Sequence, residues 1–142
     1  MSVDMEKTAL QYSNQHGRYT WHGKQSHQAT LGILARSHAM VISSRMEGGA
    51  HVVSEAIAAG IPVLASKIPG NYGLLGKDYL GYFPVGSEKA LAKLLHRAET
   101  DQLFYKKLQG QVKKLQKLVR PSHERFSIQK LVTRLLKSSK TY

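Results

Sequence analysis

The sequence predicts an α/β domain in which helices flank a parallel sheet, and three features carry that expectation. Strand-like and helix-like segments alternate from Met5 to Thr100, the pattern of an α/β chain. The strand candidates are short apolar runs without alternation, as expected of strands covered on both faces. The segments that join these strands to the following helices are crowded with glycine and polar residues, and parallel sheets bind ligands at those connections.

The elements follow in order. Met5 to Gln15 reads as a short helix stopped near Gly17. Arg18-Tyr19-Thr20-Trp21 reads as a short aromatic strand ended by Gly23. Gln25 to Ser37 forms a helix with Leu31, Leu34 and Ala35 on one side. Ala39 to Ser43 is a strand expected to be buried on both faces. Ala50 to Ala59 is helical, with Gly60 as the residue past its end and Pro62 just beyond. Ile61 to Ala65 is a second buried strand whose proline sits near its start, where the ladder tolerates one. Lys67 to Gly73 reads as a loop rich in turn residues, and Gly81 to Val85 as a weaker strand. Ser87 caps a helix carrying Ala90, Leu91, Leu94 and Leu95. Thr100 caps another with Phe104, Leu108, Val112 and Leu115 inward. A last helix runs from about Ser122 through Leu136.

Composition narrows the functional classes. With 142 residues the chain is the size of one domain, and 42% apolar with 21% charged residues suits a globular protein. The absence of cysteine excludes disulfides, thiolate zinc sites and cysteine nucleophiles. The longest nearly apolar run, Ala56 to Ala65, is far short of the roughly 20 residues that span a bilayer. The N-terminus lacks the apolar stretch of a signal peptide, so a cytoplasmic location is expected. The net charge of +12 invites an anionic partner. Its placement is lopsided: from Lys106 onward, Glu124 alone opposes a series of lysines and arginines. One reading of this chain is therefore a basic module for nucleic acid or an anionic membrane surface, which would make it peripheral to the membrane. No recognised nucleic-acid motif and no interleaved aromatics accompany the lysines, so no specific nucleic acid is expected.

The sharper constellation is Ser44-Arg45-Met46-Glu47-Gly48-Gly49-Ala50-His51-Val52-Val53-Ser54-Glu55-Ala56. A strand, two glycines and a helix start follow one another. The glycines let the backbone approach a ligand, and the free N–H groups around Ala50, His51 and Val52 favour a phosphate. Glu47 precedes the helix and projects into the cleft, while Glu55 lies one to two turns in, placed to accept hydrogen bonds from sugar hydroxyls. The bland alternative makes Glu47 a complement of the helix dipole and Glu55 a solvated surface residue. Of the seven histidines only His51 follows the glycines, and no pair has a context that suggests a metal site. Tyr72 and Tyr79 are either ligand contacts or surface packing.

Glu47 and Glu55, with seven residues between them, resemble the E-x7-E motif of the retaining nucleotide-sugar glycosyltransferases of the GT-B fold, glycosyl transferases group 1. Trp21-His22-Gly23 is similar to that family's short strand ending in glycine, and Ala39 to Ser44 to the strand before the motif. Glu55 to Ala65 resembles its helix-glycine-proline-strand run, and Asn71 to Gly76 and Gly86 to Ala92 its later loop and helix. Coverage runs from about Tyr19 to Leu95. The wording of Glu47 to Val53 and Gly70 to Gly76 is similar to one subgroup, associated with selenosugar synthesis.

The resemblance implies a Rossmann-like donor-binding domain, with its core over 19–98 and basic helices over 100–139. It implies a nucleoside-diphosphate sugar, of the UDP type, as substrate, with no cofactor and no bound metal. Glu55 would bind the ribose hydroxyls and Glu47, the catalytic residue, would lie beside the transferred sugar. Backbone amides of Gly48, Gly49, Ala50, His51 and Val52 would face sugar and diphosphate, and Gly23 and Lys24 would lie near the base. A non-transferase relative, an epimerase or phosphorylase, fits the paired glutamates less well. The resemblance also implies an N-terminal acceptor domain as partner, and two donor-domain strands that carry the arginine and lysine for the diphosphate. Neither is found in these 142 residues, so the chain is expected to be a piece of a two-domain enzyme, with a sheet that has lost its centre. Purified alone, it is expected to transfer no sugar in a product-release assay; detectable turnover would count against this expectation.

Overall fold

The computed structural model describes residues 2–46, 50–118, 130–134 and 137, with the side chain of Ala50 left aside. The chain divides into two units, residues 1–30 and 31–142.

In the first unit, helix α1 spans Val3–Gln15 and Ser2 caps it, its hydroxyl accepting from the Met5 N–H. Asp4 and Glu6 sit in its first turn, where the helix dipole favours negative charge. Arg18 to Trp21 is not a strand. The segment finds no ladder partner and folds back on α1: the Trp21 N–H donates to Ser13 Oγ at 2.9 Å and the Tyr19 N–H to the His16 carbonyl. Tyr19 meets Tyr12 edge-on, 6.4 Å between ring centres. Gly23 turns the chain at φ +66°, a conformation open to glycine. Helix α2, His27–Ala35, crosses from one unit into the other and buries Leu31 and Leu34.

The second unit is the expected α/β layer. Strand β1 is Met40–Ile42, helix α3 Ala50–Ala59, strand β2 Val63–Ser66, helix α4 Pro69–Leu75, strand β3 Tyr82–Phe83, helix α5 Glu88–Thr100 and helix α6 Gln102–Leu118. The three strands are parallel in the order β1-β2-β3, with Val41 beside Leu64 and Ala65 beside Tyr82. All four residues of β2 are fully buried, and Val53, Ala56, Ile57, Phe104, Leu108 and Val112 pack around them. The strand β1 is less covered than its apolar run suggests. Among the described residues it pairs with β2 alone, and Val41 remains 42% exposed.

The end of α3 follows its sequence signal. Gly60, at φ +73°, donates to the Ile57 carbonyl, and Ile61 donates to that of Ala56. These two bonds close the helix in a Schellman motif and turn the chain into β2. Ser87 caps α5 through the Ala90 N–H. The cap of α6 is Asp101 rather than Thr100: Thr100 completes α5, and Asp101 Oδ1 accepts from the Phe104 N–H at 3.0 Å. That hydrogen bond, with help from Arg97, holds the Asp101 carboxyl below the usual carboxylate range. Arg97 also lies over the Phe104 ring, 4.1 Å from its centre. The inward residues of α6 are those the periodicity indicates. Of the final helix, only residues 130–134 and 137 fall among the described residues, and they are helical. Among the described residues no helix is long and apolar enough to cross a membrane.

Segment 67–73 departs from its expected loop. Pro69 takes the first position of α4, where its missing N–H costs nothing. Asn71 and Leu75 are buried in the same helix. Tyr79 is a core residue: its hydroxyl accepts from the Val63 N–H at 2.9 Å and so closes the start of β2. Burial pushes the Tyr82 phenol up to about 12 and that of Tyr79 higher still, so both keep their protons at neutral pH.

Gly81 stands where β3 meets β2. A Cβ there would run into the Val63 carbonyl oxygen and the Tyr79 ring. Gly81→Ala is therefore expected to cost about 1–3 kcal/mol, the range for overpacking a core. Urea unfolding should show a lower midpoint with an unchanged slope; an unchanged midpoint would contradict this contact.

Candidate functional site

The C-terminal edge of the parallel sheet gathers the segments that follow β1, β2 and β3. A polar lock joins them. Ser66 ends β2 with its side chain fully buried, and its hydroxyl donates to the Ser44 carbonyl at 2.6 Å. The Asn71 amide donates to the Ser66 carbonyl at 2.8 Å and lies 3.5 Å from its hydroxyl. The Tyr82 hydroxyl then reaches the Gly76 carbonyl at 2.8 Å and the Asn71 carbonyl at 3.2 Å. Buried polar groups are costly unless paired. Here the pairing ties the exit of β1 to the exit of β2, to α4 and to β3. Three residues beyond Ser44 the chain enters the motif loop.

Glu47, Gly48 and Gly49 lie outside the described residues. Helix α3 starts at Ala50 as the spacing indicates, and its first turn carries His51 and Val52, both exposed. Glu55 follows in the second turn and is 5% exposed, between buried Val53 and buried Ala56. The solvated-surface reading of Glu55 fails on this burial, and the residue is engaged within the fold. Helix α3 thus presents exposed His51 and Val52 in its first turn, and a buried carboxylate in its second. Gly23 and Lys24 belong to the first unit, where Gly23 makes its turn and Lys24 is exposed.

Three residues of this edge escape the sequence reading. Ser66 and Asn71 are two of them. The third is Arg45, exposed in the segment after β1, whose Nη2 lies 3.8 Å from the place a Cβ would take on Gly86. Gly86 follows β3, so the guanidinium spans from the first exit to the third, across the end of β2. Lys67, exposed at the exit of β2, adds a second cation. The residue patterns gave no signal for these roles, which for Ser66 and Arg45 arise from contacts with segments far apart in the chain. Tyr72 packs edge-on against Tyr82, 5.0 Å between ring centres. Among the described residues no group of three His, Asp or Glu side chains could hold a metal ion. A surface concavity of about 430 Å³ lined by Asp4, Met5, Thr8, Ala9, Tyr12 and Tyr19 contains none of the residues expected at the site.

A family model described as glycosyl transferases group 1 matches residues 3–118. No curated protein matches the chain.

The lock makes a local prediction. Ser66→Ala and Asn71→Ala each leave buried groups without a partner, at a cost of about 1–3 kcal/mol. Amide hydrogen exchange should rise at Ser44 to Met46 by more than it rises in α6. An equal rise in both regions would mean that the pair supports the core alone.

Proposed function

The chain belongs to glycosyl transferases group 1, and from that premise we propose that its C-terminal sheet edge binds a nucleoside-diphosphate sugar of the UDP type for retaining transfer. The burial of Glu55 carries this reading. A carboxylate held out of solvent in the second turn of α3 suits a pair of ribose hydroxyls, because a charged acceptor makes hydrogen bonds about twice as strong as a neutral one. The amides from Gly48 to Val52, at the positive end of the α3 dipole, take the sugar and diphosphate. By the resemblance, Glu47 would lie beside the transferred sugar. Arg45 and Lys67 bring positive charge to the same edge, where it stabilises a leaving diphosphate. Positive charge fixed in place before the bond breaks lowers the barrier without reorganisation at the moment of reaction.

Residues 19–98 form the donor core in this reading. Acceptor recognition belongs to a separate domain, by the resemblance that the motif carries. The chain alone then binds the donor and does not turn it over. The motif wording favours the selenosugar subgroup for the transferred product.

Calorimetric titration of the full chain with UDP and with a UDP-sugar tests the site. Saturable binding is expected, and Glu55→Gln should weaken it by about 10- to 100-fold, the worth of charge-assisted hydrogen bonds of about 1.5–3 kcal/mol. Thermal unfolding of the variant checks that the fold persists. Equal affinity of wild type and Glu55→Gln, with the fold intact, would remove Glu55 from the site.

A further inference from the structure

Helix α6 offers solvent a face that the sugar chemistry does not use. Lys106, Lys113 and Lys117 fall within roughly 40° of one another at 3.6 residues per turn, and Lys107 and Lys114 form a second row beside them. All five are exposed, they lie away from the buried Phe104, Leu108 and Val112, and α6 holds no acidic residue. None forms an ion pair among the described residues. Two leucines frame the lysines: Leu103 near the start of the helix is 74% exposed and Leu118 at its end 78%. Leu103, Lys107, Lys114 and Leu118 follow one stripe along the helix.

The helix cannot roll to hide this face. The Tyr105 hydroxyl donates to the His38 carbonyl at 2.7 Å. Gln111 donates to the Asp78 carbonyl and accepts from the Leu80 N–H. Gln116 donates to the Ala58 carbonyl at 3.0 Å. His38, Leu80 and Ala58 stand shortly before β1, β3 and β2 respectively. Their hydrogen bonds therefore place α6 across the N-terminal edge of the sheet, opposite the edge that carries Ser44, Ser66 and the start of α3.

We propose that the Lys106–Lys117 face of α6, framed by Leu103 and Leu118, is a docking surface for an anionic lipid bilayer that leaves the opposite, sugar-handling edge of the sheet open to solvent. The rows of lysine supply compact charges for anionic headgroups, about 17 Å from Lys106 to Lys117 at 1.5 Å per residue. The two leucines supply apolar contacts at the headgroup boundary, as amphipathic surface helices do. A nucleic-acid partner is less well served. The helix has no arginine, and its one aromatic residue beside buried Phe104 is Tyr105, whose hydroxyl is already bonded to His38. Stacking platforms and guanidinium planes, which hold single-stranded bases, are absent from this face.

Vesicle co-sedimentation of the full chain tests the surface, with phosphatidylcholine alone compared with phosphatidylcholine carrying about 30% phosphatidylglycerol. Binding to the anionic vesicles alone is expected, and it should fade between about 0.1 and 0.5 M salt as the charges are screened. Replacing all five lysines by glutamine should weaken it at least about hundredfold, since each lysine near an anionic surface is worth about fivefold. Leu103→Ser with Leu118→Ser should weaken it about tenfold. These are surface positions, and thermal unfolding confirms that the variants fold. Equal binding to both vesicles would overturn the proposal. So would retention by the five-lysine variant, which would assign binding to the basic sequence beyond Leu118. Single-stranded RNA held with the same lysine dependence, while the leucine variant binds vesicles as wild type does, would make the face one for nucleic acid. None of these readings requires a bound nucleotide sugar, so the surface and the sugar site stand or fall separately.

Discussion

The burial of β2 on both faces is the constraint to which the rest of the second unit answers. A four-residue strand with no solvent contact must have every backbone and side-chain polar group paired inside the protein. Its two ends are closed by different means. At the start, Tyr79 brings a phenol to the Val63 N–H, and Gly81 must lack a side chain so that the ring and the Val63 carbonyl can fit. At the finish, the polar residue is in the strand itself: Ser66 needs partners, and it finds them in Ser44 and Asn71. Satisfying the end of one buried strand thereby ties it to the exit of β1 and to α4. The positions of Ser44 and of α4 follow from that pairing.

The same strand separates two edges with different chemistry. Beyond its C-terminal end stand the first turn of α3, the engaged Glu55, Arg45 and Lys67. Before its N-terminal end runs α6, anchored by Tyr105, Gln111 and Gln116 to the segments that precede each strand. The positive charge that dominates the composition belongs mostly to the second edge and to the sequence after it. A count of lysines alone merges these edges. The hydrogen bonds of α6 keep them apart, because they decide which side of that helix faces the core.

Elements governed by local chemistry were readable from the residues. The unalternating runs around Val41 and Leu64 are parallel strands, Gly60 and Pro62 end α3 and begin β2, and the Phe104-Leu108-Val112 row faces inward. In each misreading the surroundings that the fold supplies, or fails to supply, override the local signal. Asn71 carries a turn preference, but its side chain is taken up by Ser66 and its backbone continues a helix begun by Pro69. Arg18 to Trp21 has strand-forming residues, yet without a neighbouring strand its amide bonds go to Ser13 and His16. Val41 has the residue type of a covered strand but keeps one side open. At the site, the position of Glu55 was legible from its spacing to Glu47. The roles of Ser66, Asn71 and Arg45 were not: Ser66 and Arg45 act on segments far along the chain, and Asn71 joins them only through Ser66.

Buried Glu55 bears on the proposed function as well as on the fold. Its flanking residues on α3, Val53, Ala56 and Ile57, form a continuous apolar face against β2. A carboxylate buried beside that face pays a desolvation cost, and an apolar side chain of similar volume in such a place is often neutral or stabilising. The other buried polar residues, Ser66 and Asn71, repay their burial by joining the exits of β1 and β2 to α4. Glu55 sits on a helix already closed at its end by Gly60 and packed by its apolar neighbours, and it is itself engaged within the protein. Local rules broken at a cost to stability are characteristic of functional positions. In the proposed reading, α3 carries an acid in its second turn for what the acid can hold at the open edge of the sheet.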